Sequence, residues 1–146
     1  MPYFTAIEEV MDYMKNTLLV PTGTLSELKH VGFADDELFM DYPALIIAGE
    51  PVNTEIHGTH QFKNYFRISL FIYHAVMSED RTTRTRNDLI LASKVKDRFA
   101  TDRKLGGGVI FGFVESVLPG TIRRPGNVFA VGTRMSWKGE ALEAFQ

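Results

Sequence analysis

The 146-residue sequence predicts an α+β domain: an antiparallel or mixed β-sheet of about five strands, with two main helices packed on one face. Three observations carry that expectation. Residues 65–76 (YFRISLFIYHAV) alternate with a period of two and are rich in β-branched and aromatic side chains, which is a strand signal. Two other stretches, one near each end of the first hundred residues, repeat their apolar positions every three to four residues, which is a helix signal. The other apolar segments are short and separated by turn-dense pieces, so neighbouring strands are expected to pair as hairpins. The whole chain, residues 1–146, reads as one domain with a real core and is too short for two comfortable ones.

In the long strand the even positions Phe66, Ile68, Leu70, Ile72 and Val76 form an apolar row, while Tyr65, Arg67, Ser69, Phe71 and Tyr73 form an amphipathic one. An outer face of that composition is more apolar than solvent alone requires. Tyr65, Arg67, Phe71 and Tyr73 are therefore candidates for contact with another subunit or neighbour.

Along the chain, residues 4–18 are expected to form the first helix, with Phe4, Ile7, Val10, Met11, Met14 and Leu18 on its buried side. Glu8, Glu9, Asp12 and Lys15 take the other side, and Pro21 and Gly23 stop the pattern. Leu28 to Phe33 reads as a short edge strand and Ala34 to Glu37 as an exposed acidic turn. Asp35, Asp36 and Glu37 are adjacent and point in different directions, which favours a solvated loop over a metal site. Pro43 opens a compact buried strand that ends at Gly49 and Pro51. Residues 52–62 read as a second extended piece or a projecting hairpin that bends near Gly58.

Thr85 and Asp88 resemble a weak capping box, so the second helix is expected from there to about Ala100. Leu89, Leu91, Ala92, Val95 and Phe99 form its expected buried stripe, and Ile90 falls on the far side as a further contact candidate. The glycines of TDRKLGGG allow a sharp reversal. Val109 to Leu118 is a strand with Val109, Phe111, Phe113 and Val117 assigned to one face. Residues 119–127 read as a long hairpin tip, Val128 to Lys138 pairs back, and the tail after it extends outward.

Composition excludes several functions. The formal charge of −2 argues against a generic nucleic-acid binder, and the lack of cysteine removes disulfides, thiol catalysis and thiolate metal sites. No apolar run is long enough to span a bilayer, so no membrane partner is expected. The acidic N-terminal stretch has no basic region of the secretory kind, and a cytoplasmic origin is expected.

Signals for chemistry are few. His57 and His60 are the one close pair among four histidines, and no third ligand is spaced to complete a metal site; His74, on the even face of the long strand, reads as a core histidine. Neither Ser69 nor Ser116 sits on a nucleophile elbow. Gly106-Gly107-Gly108 follows a helix and precedes a strand, the reverse of a phosphate-cradling loop. No enzyme, cofactor or metal is expected. Two basic clusters stand out, Arg81 with Arg84 and Arg86, and Arg123 with Arg124. Either could meet phosphates or the acids of a neighbouring subunit, and for a chain of net negative charge the subunit reading ranks first.

Three motifs point further: Tyr42-Pro43-Ala44-Leu45-Ile46-Ile47, the turn Thr101-Asp102-Arg103-Lys104-Leu105-Gly106-Gly107, and Met135-Ser136-Trp137-Lys138-Gly139. With the order of elements between them, they resemble the tail terminator (tail-completion) proteins of long-tailed bacteriophages, relatives of the lambda-type minor tail protein U. The D-x-x-L-G-G turn is the most specific piece. That resemblance implies a virion structural protein without catalytic residues, made in the host cytoplasm and placed at the head–tail junction. It implies a hexameric ring that binds the tail tube protein, halts tube growth and offers the joining surface to a head-completion or connector protein. DNA would pass the lumen without sequence-specific binding. Residues Arg123 and Arg124 in the hairpin tip then become candidates for reaching a neighbour. Two alternatives stay open: a head-completion or connector ring on the portal side, and a small-ligand-binding α+β module that uses the concave side of its sheet.

Overall fold

A computed structural model describes residues 3–33, 43–76, 81–124 and 128–144, with side chains described except at 74–76, 81–88, 120–124 and 128–131. The first helix, α1 (Ile7–Tyr13), runs into a π-helical turn at Met14–Leu18, and a 3-10 turn follows at Gly23–Leu25. Among the described residues six strands and a long second helix follow, with a 3-10 turn at Leu105–Gly107: β1 (His30–Phe33), β2 (Ala44–Gly49), β3 (Asn53–His57), β4 (Gln61–Val76), α2 (Arg81–Thr101), β5 (Phe111–Arg124) and β6 (Val128–Ala144). The strands form one mixed sheet in the order β1-β2-β4-β6-β5, with β3 paired to β4 beside β2. β1 runs parallel to β2, and the other pairs described are antiparallel. The class is α+β, as the sequence predicts.

β4 is the spine of the sheet because its even positions from Phe66 to Ile72 are all core. Phe66, Ile68, Leu70 and Ile72 are fully buried and share one cluster with Leu45 and Ile47 of β2 and with Met135 and Trp137 of β6. The same cluster takes Val10 and Met14 from the first helix and Leu91, Val95 and Phe99 from α2. α1 lies against β2, where Ile7 and Met11 approach Gly49 so closely that a Cβ there would stand 2.8 Å from the Met11 sulfur. α2 lies against β4, β5 and β6. Trp137 occupies a slot between two strand glycines: a Cβ on Gly112 or Gly139 would fall 2.2 or 2.3 Å from its ring. Those glycines exist to admit the indole, and larger residues would collide with it.

Side chains also tie the helical layer together. Arg98 donates to the carbonyls of Leu18 (2.9 Å) and Thr22 (2.8 Å), which satisfies backbone acceptors at the end of the first helical segment. The Asp102 carboxylate receives the Tyr13 hydroxyl on one oxygen and the Gly106 amide (2.9 Å) on the other. Gly106 has φ +67° and Gly107 +94°, so the D-x-x-L-G-G turn needs its glycines for backbone conformation. A Cβ on Gly106 would also meet the Tyr13 hydroxyl at 2.9 Å. The turn is thus a clamp between α1 and the α2–β5 connection.

Several boundaries differ from the sequence reading. β4 begins at Gln61, since Gly58 (φ +75°) allows a tight reversal out of β3. β6 continues to Ala144, where residues 140–144 pair with 65–61, although Ala, Leu and Glu are poor strand formers; cross-strand pairing overrides propensity. With β3 they make a three-stranded arm. Inside it, Thr54 donates to Asn64 (2.7 Å) and Asn64 donates to Glu143 (3.0 Å). α2 begins at Arg81, ahead of the expected Thr85 box. Residues 119–124, expected in a hairpin tip, belong to β5 and pair up to Arg124↔Val128. The acidic turn at residues 34–37 lies outside the described residues.

Two face assignments are corrected. Between Val114 and Ser116 the β5–β6 register slips, and the extra residue, Glu115, reverses the alternation. Phe111 and Phe113 consequently face away from the core while Val117, past the bulge, packs into it; Val109 is buried too but precedes the strand, so those four do not share a face. Leu89 is 45% exposed instead of buried. At 100° per residue it sits about 20° from exposed Lys96 and about 60–120° from Ala92, Phe99 and Val95, at the margin of the buried stripe.

Candidate functional site

The outer face of the sheet can be read row by row from the registers. Tyr65, Glu140 and Phe111 form one row; Arg67, Lys138 and Phe113 the next; Ser69, Ser136 and Ser116 a third; Phe71, Arg134 and Leu118 a fourth. Polar groups on this face are mostly matched. Ser69 donates to Glu50 (3.0 Å), Tyr65 donates to Glu55 (2.8 Å), and Lys63 pairs with Glu140 at 3.0 Å. The bond to Glu140 holds the Lys63 ammonium above its ordinary range, and the bond to Glu55 does the same for the Tyr65 phenol. Arg67 and Glu115 stand 3.9 Å apart, both half exposed, a contact worth little in water.

The predicted contact residues fall in different settings. Tyr65 and Phe71 are half-buried on the outer face, where Phe71 stacks on Tyr73 (ring centroids 6.4 Å apart) and lies under the Arg134 guanidinium. Arg67 is exposed. Tyr73 is corrected: it is 2% exposed, packed in a second small cluster with Ala44 and Ile46, and cannot offer its ring to a neighbour. Ile90 is exposed on α2, away from the outer face. Arg123 and Arg124 are on β5 opposite Phe129 and Val128, and their side chains, like those of Arg81, Arg84, Arg86 and His74, lie outside the described residues.

The surface that sequence reading missed is the β5 edge. Phe111 (45% exposed) and Phe113 (46%) stack with centroids 5.9 Å apart, and Leu118 further along is 61% exposed. Beside the two phenylalanines an open groove runs between β5 and α2, with Phe99 and Val114 in its floor and Lys96, Ala100 and Arg103 on its helical bank. Lys96 and Arg103 are exposed, and among the described residues no carboxylate pairs with either. Strict alternation hid this patch, because the bulge at Glu115 cannot be read from hydropathy. A second open groove lies on the outer face in the gap between β2 and β3, bordered by Glu50, Asn53, Tyr65, Arg67 and Lys138.

For chemistry the described residues offer little convergence. No group of three or more His, Asp or Glu among them is placed to hold a metal ion, and His57 and His60 are both exposed at the β3–β4 turn. No helix among the described residues is long and apolar enough to cross a membrane. No protein-family model matches the sequence, and no curated protein matches it either.

Proposed function

We propose that this chain is a structural subunit of a bacteriophage tail, a non-enzymatic ring protein whose copies cap the tail tube as a hexamer and form the surface that meets the head. The observation that supports this most is the exposed aromatic strip along the edge strand: Phe111, Phe113 and Leu118 lie on β5 at the rim of the sheet. Exposed edge strands and clustered apolar side chains invite association, and isolated domains usually blunt them. The α+β sheet, the element order and the Asp102 turn agree with the sequence resemblance described above, which supplies the tail assignment. A ring requires a heterologous contact, in which two different patches of identical copies meet.

Light scattering at high protein concentration and electron microscopy of assembled tails test the reading. Six-fold rings at the head-proximal end of headless tails are expected. Location on filled heads that lack tails would move the protein to the connector side, and a strict monomer in both experiments would end the ring reading.

A further inference from the structure

We infer that the groove between α2 and β5 receives the acidic flank of α1 from a second copy of this chain. This contact rests on the reading of the chain as a ring subunit and names the two patches that would meet.

The argument is one of placement and charge. α1 lies over β2 and α2 lies over β4, β6 and β5, so the two helices stand toward opposite edges of one sheet. The inward-facing sides of the pair are already occupied: Tyr13 reaches Asp102, Arg98 reaches Leu18 and Thr22, and Lys94 meets Glu27 at 2.7 Å. On α1, Ile7 and Met11 face Gly49 of β2, and Lys15 lies 4.9 Å over the Phe33 ring of β1. At 100° per residue Glu8 and Asp12 fall on that same β1-ward flank, opposite Tyr13, and both are exposed. Lys96 and Ala100 on α2, with Arg103 just past its C-terminal end, line the helical bank of the β5 groove. One edge of the molecule therefore carries the exposed acids Glu8 and Asp12, and the opposite edge carries Lys96 and Arg103 beside Phe111 and Phe113.

Such patches are complementary to each other and not to themselves. A two-fold contact would oppose Lys96 and Arg103 to their own copies, whereas a head-to-tail contact opposes them to Glu8 and Asp12 and covers Phe111 and Phe113. Repeated about an axis whose rotation closes, such a contact forms a ring.

The test is a charge swap in the full chain. Lys96→Glu with Arg103→Glu, and separately Glu8→Lys with Asp12→Lys, should each weaken assembly by about tenfold or more. An equimolar mixture of the two variants should recover hetero-pairs, and the fourfold reversal should recover assembly. Because the chain has no cysteine, Asp12→Cys and Lys96→Cys provide a second reading that needs no change of charge balance elsewhere. A short bismaleimide should join them in a mixture and leave each alone uncoupled. If wild-type rings form while the reversals have no effect and the cysteines do not couple, this contact is wrong and the ring reading stands. Coupling of either cysteine variant with itself would show a two-fold contact and overturn the proposal. A wild-type chain that stays monomeric throughout removes both.

Discussion

Replacing Gly139 with alanine is the sharpest available probe of the core. The added Cβ would lie 2.3 Å from the Trp137 ring, far inside contact distance. The indole has no free space toward β5, because it already fills the position that a Cβ on Gly112 would take, and it is only 1% exposed. Nor can the backbone at 139 withdraw freely, since it is paired to Phe66 on one side and Gly112 on the other. The variant must therefore shift a packed ring or bend β6, at a cost of about 1–3 kcal/mol. With a urea dependence of about 2 kcal/mol per molar, the unfolding midpoint should fall by about 0.5–1.5 M. Trp137 is the one tryptophan in the chain, so its own fluorescence reports the transition. Adding Trp137→Phe to Gly139→Ala should return part of the loss, measured by circular dichroism, because the smaller ring vacates the space that the methyl needs. An alanine variant with the wild-type midpoint and emission maximum would refute the slot.

The clamp at Asp102 gives a pH signature. Burial, with the hydrogen bond to Asp102 second, raises the Tyr13 phenol from its usual 10 to about 12. The folded state then holds that proton more tightly than the unfolded one, so its stabilising effect is complete below pH 10 and is lost as pH rises toward 12. Tyr13→Phe should flatten that part of the stability–pH profile relative to wild type in urea titrations, and identical slopes would count against the clamp. Arg98→Ala removes two charge-assisted bonds at the end of the first helical segment. A loss of about 1–2 kcal/mol is expected, seen as a fall of a few degrees in Tm.

What the sequence made legible were the features fixed by periodicity. The even face of β4, the Leu91–Val95–Phe99 stripe, the buried β2 and the hairpin bending at Gly58 all follow from side-chain spacing and from one residue with positive φ. What it hid were the features fixed by partners. The pairing of residues 140–144 depends on β4 and not on their own propensity. The outward turn of Phe111 and Phe113 depends on one unpaired residue, and the burial of Tyr73 on the small cluster it joins with Ala44 and Ile46. For the candidate surface this mattered most: the amphipathic row of β4 was visible, while the more exposed aromatics stood two strands away on β5. The glycine turn, read as a mark of family resemblance, proves to have a mechanical reason of its own in the Tyr13–Asp102–Gly106 link.

The three-stranded arm has an unusual interior. Where the body of the sheet is sealed by aliphatic and aromatic side chains, the arm is closed by a relay from Thr54 through Asn64 to Glu143, and all five residues of β3 are exposed. Water can replace each of those bonds, so parting the arm wets little grease. Its amides are expected to exchange with solvent through local openings long before the rest of β4 does, so that this end of the molecule can reshape while the remainder stays rigid.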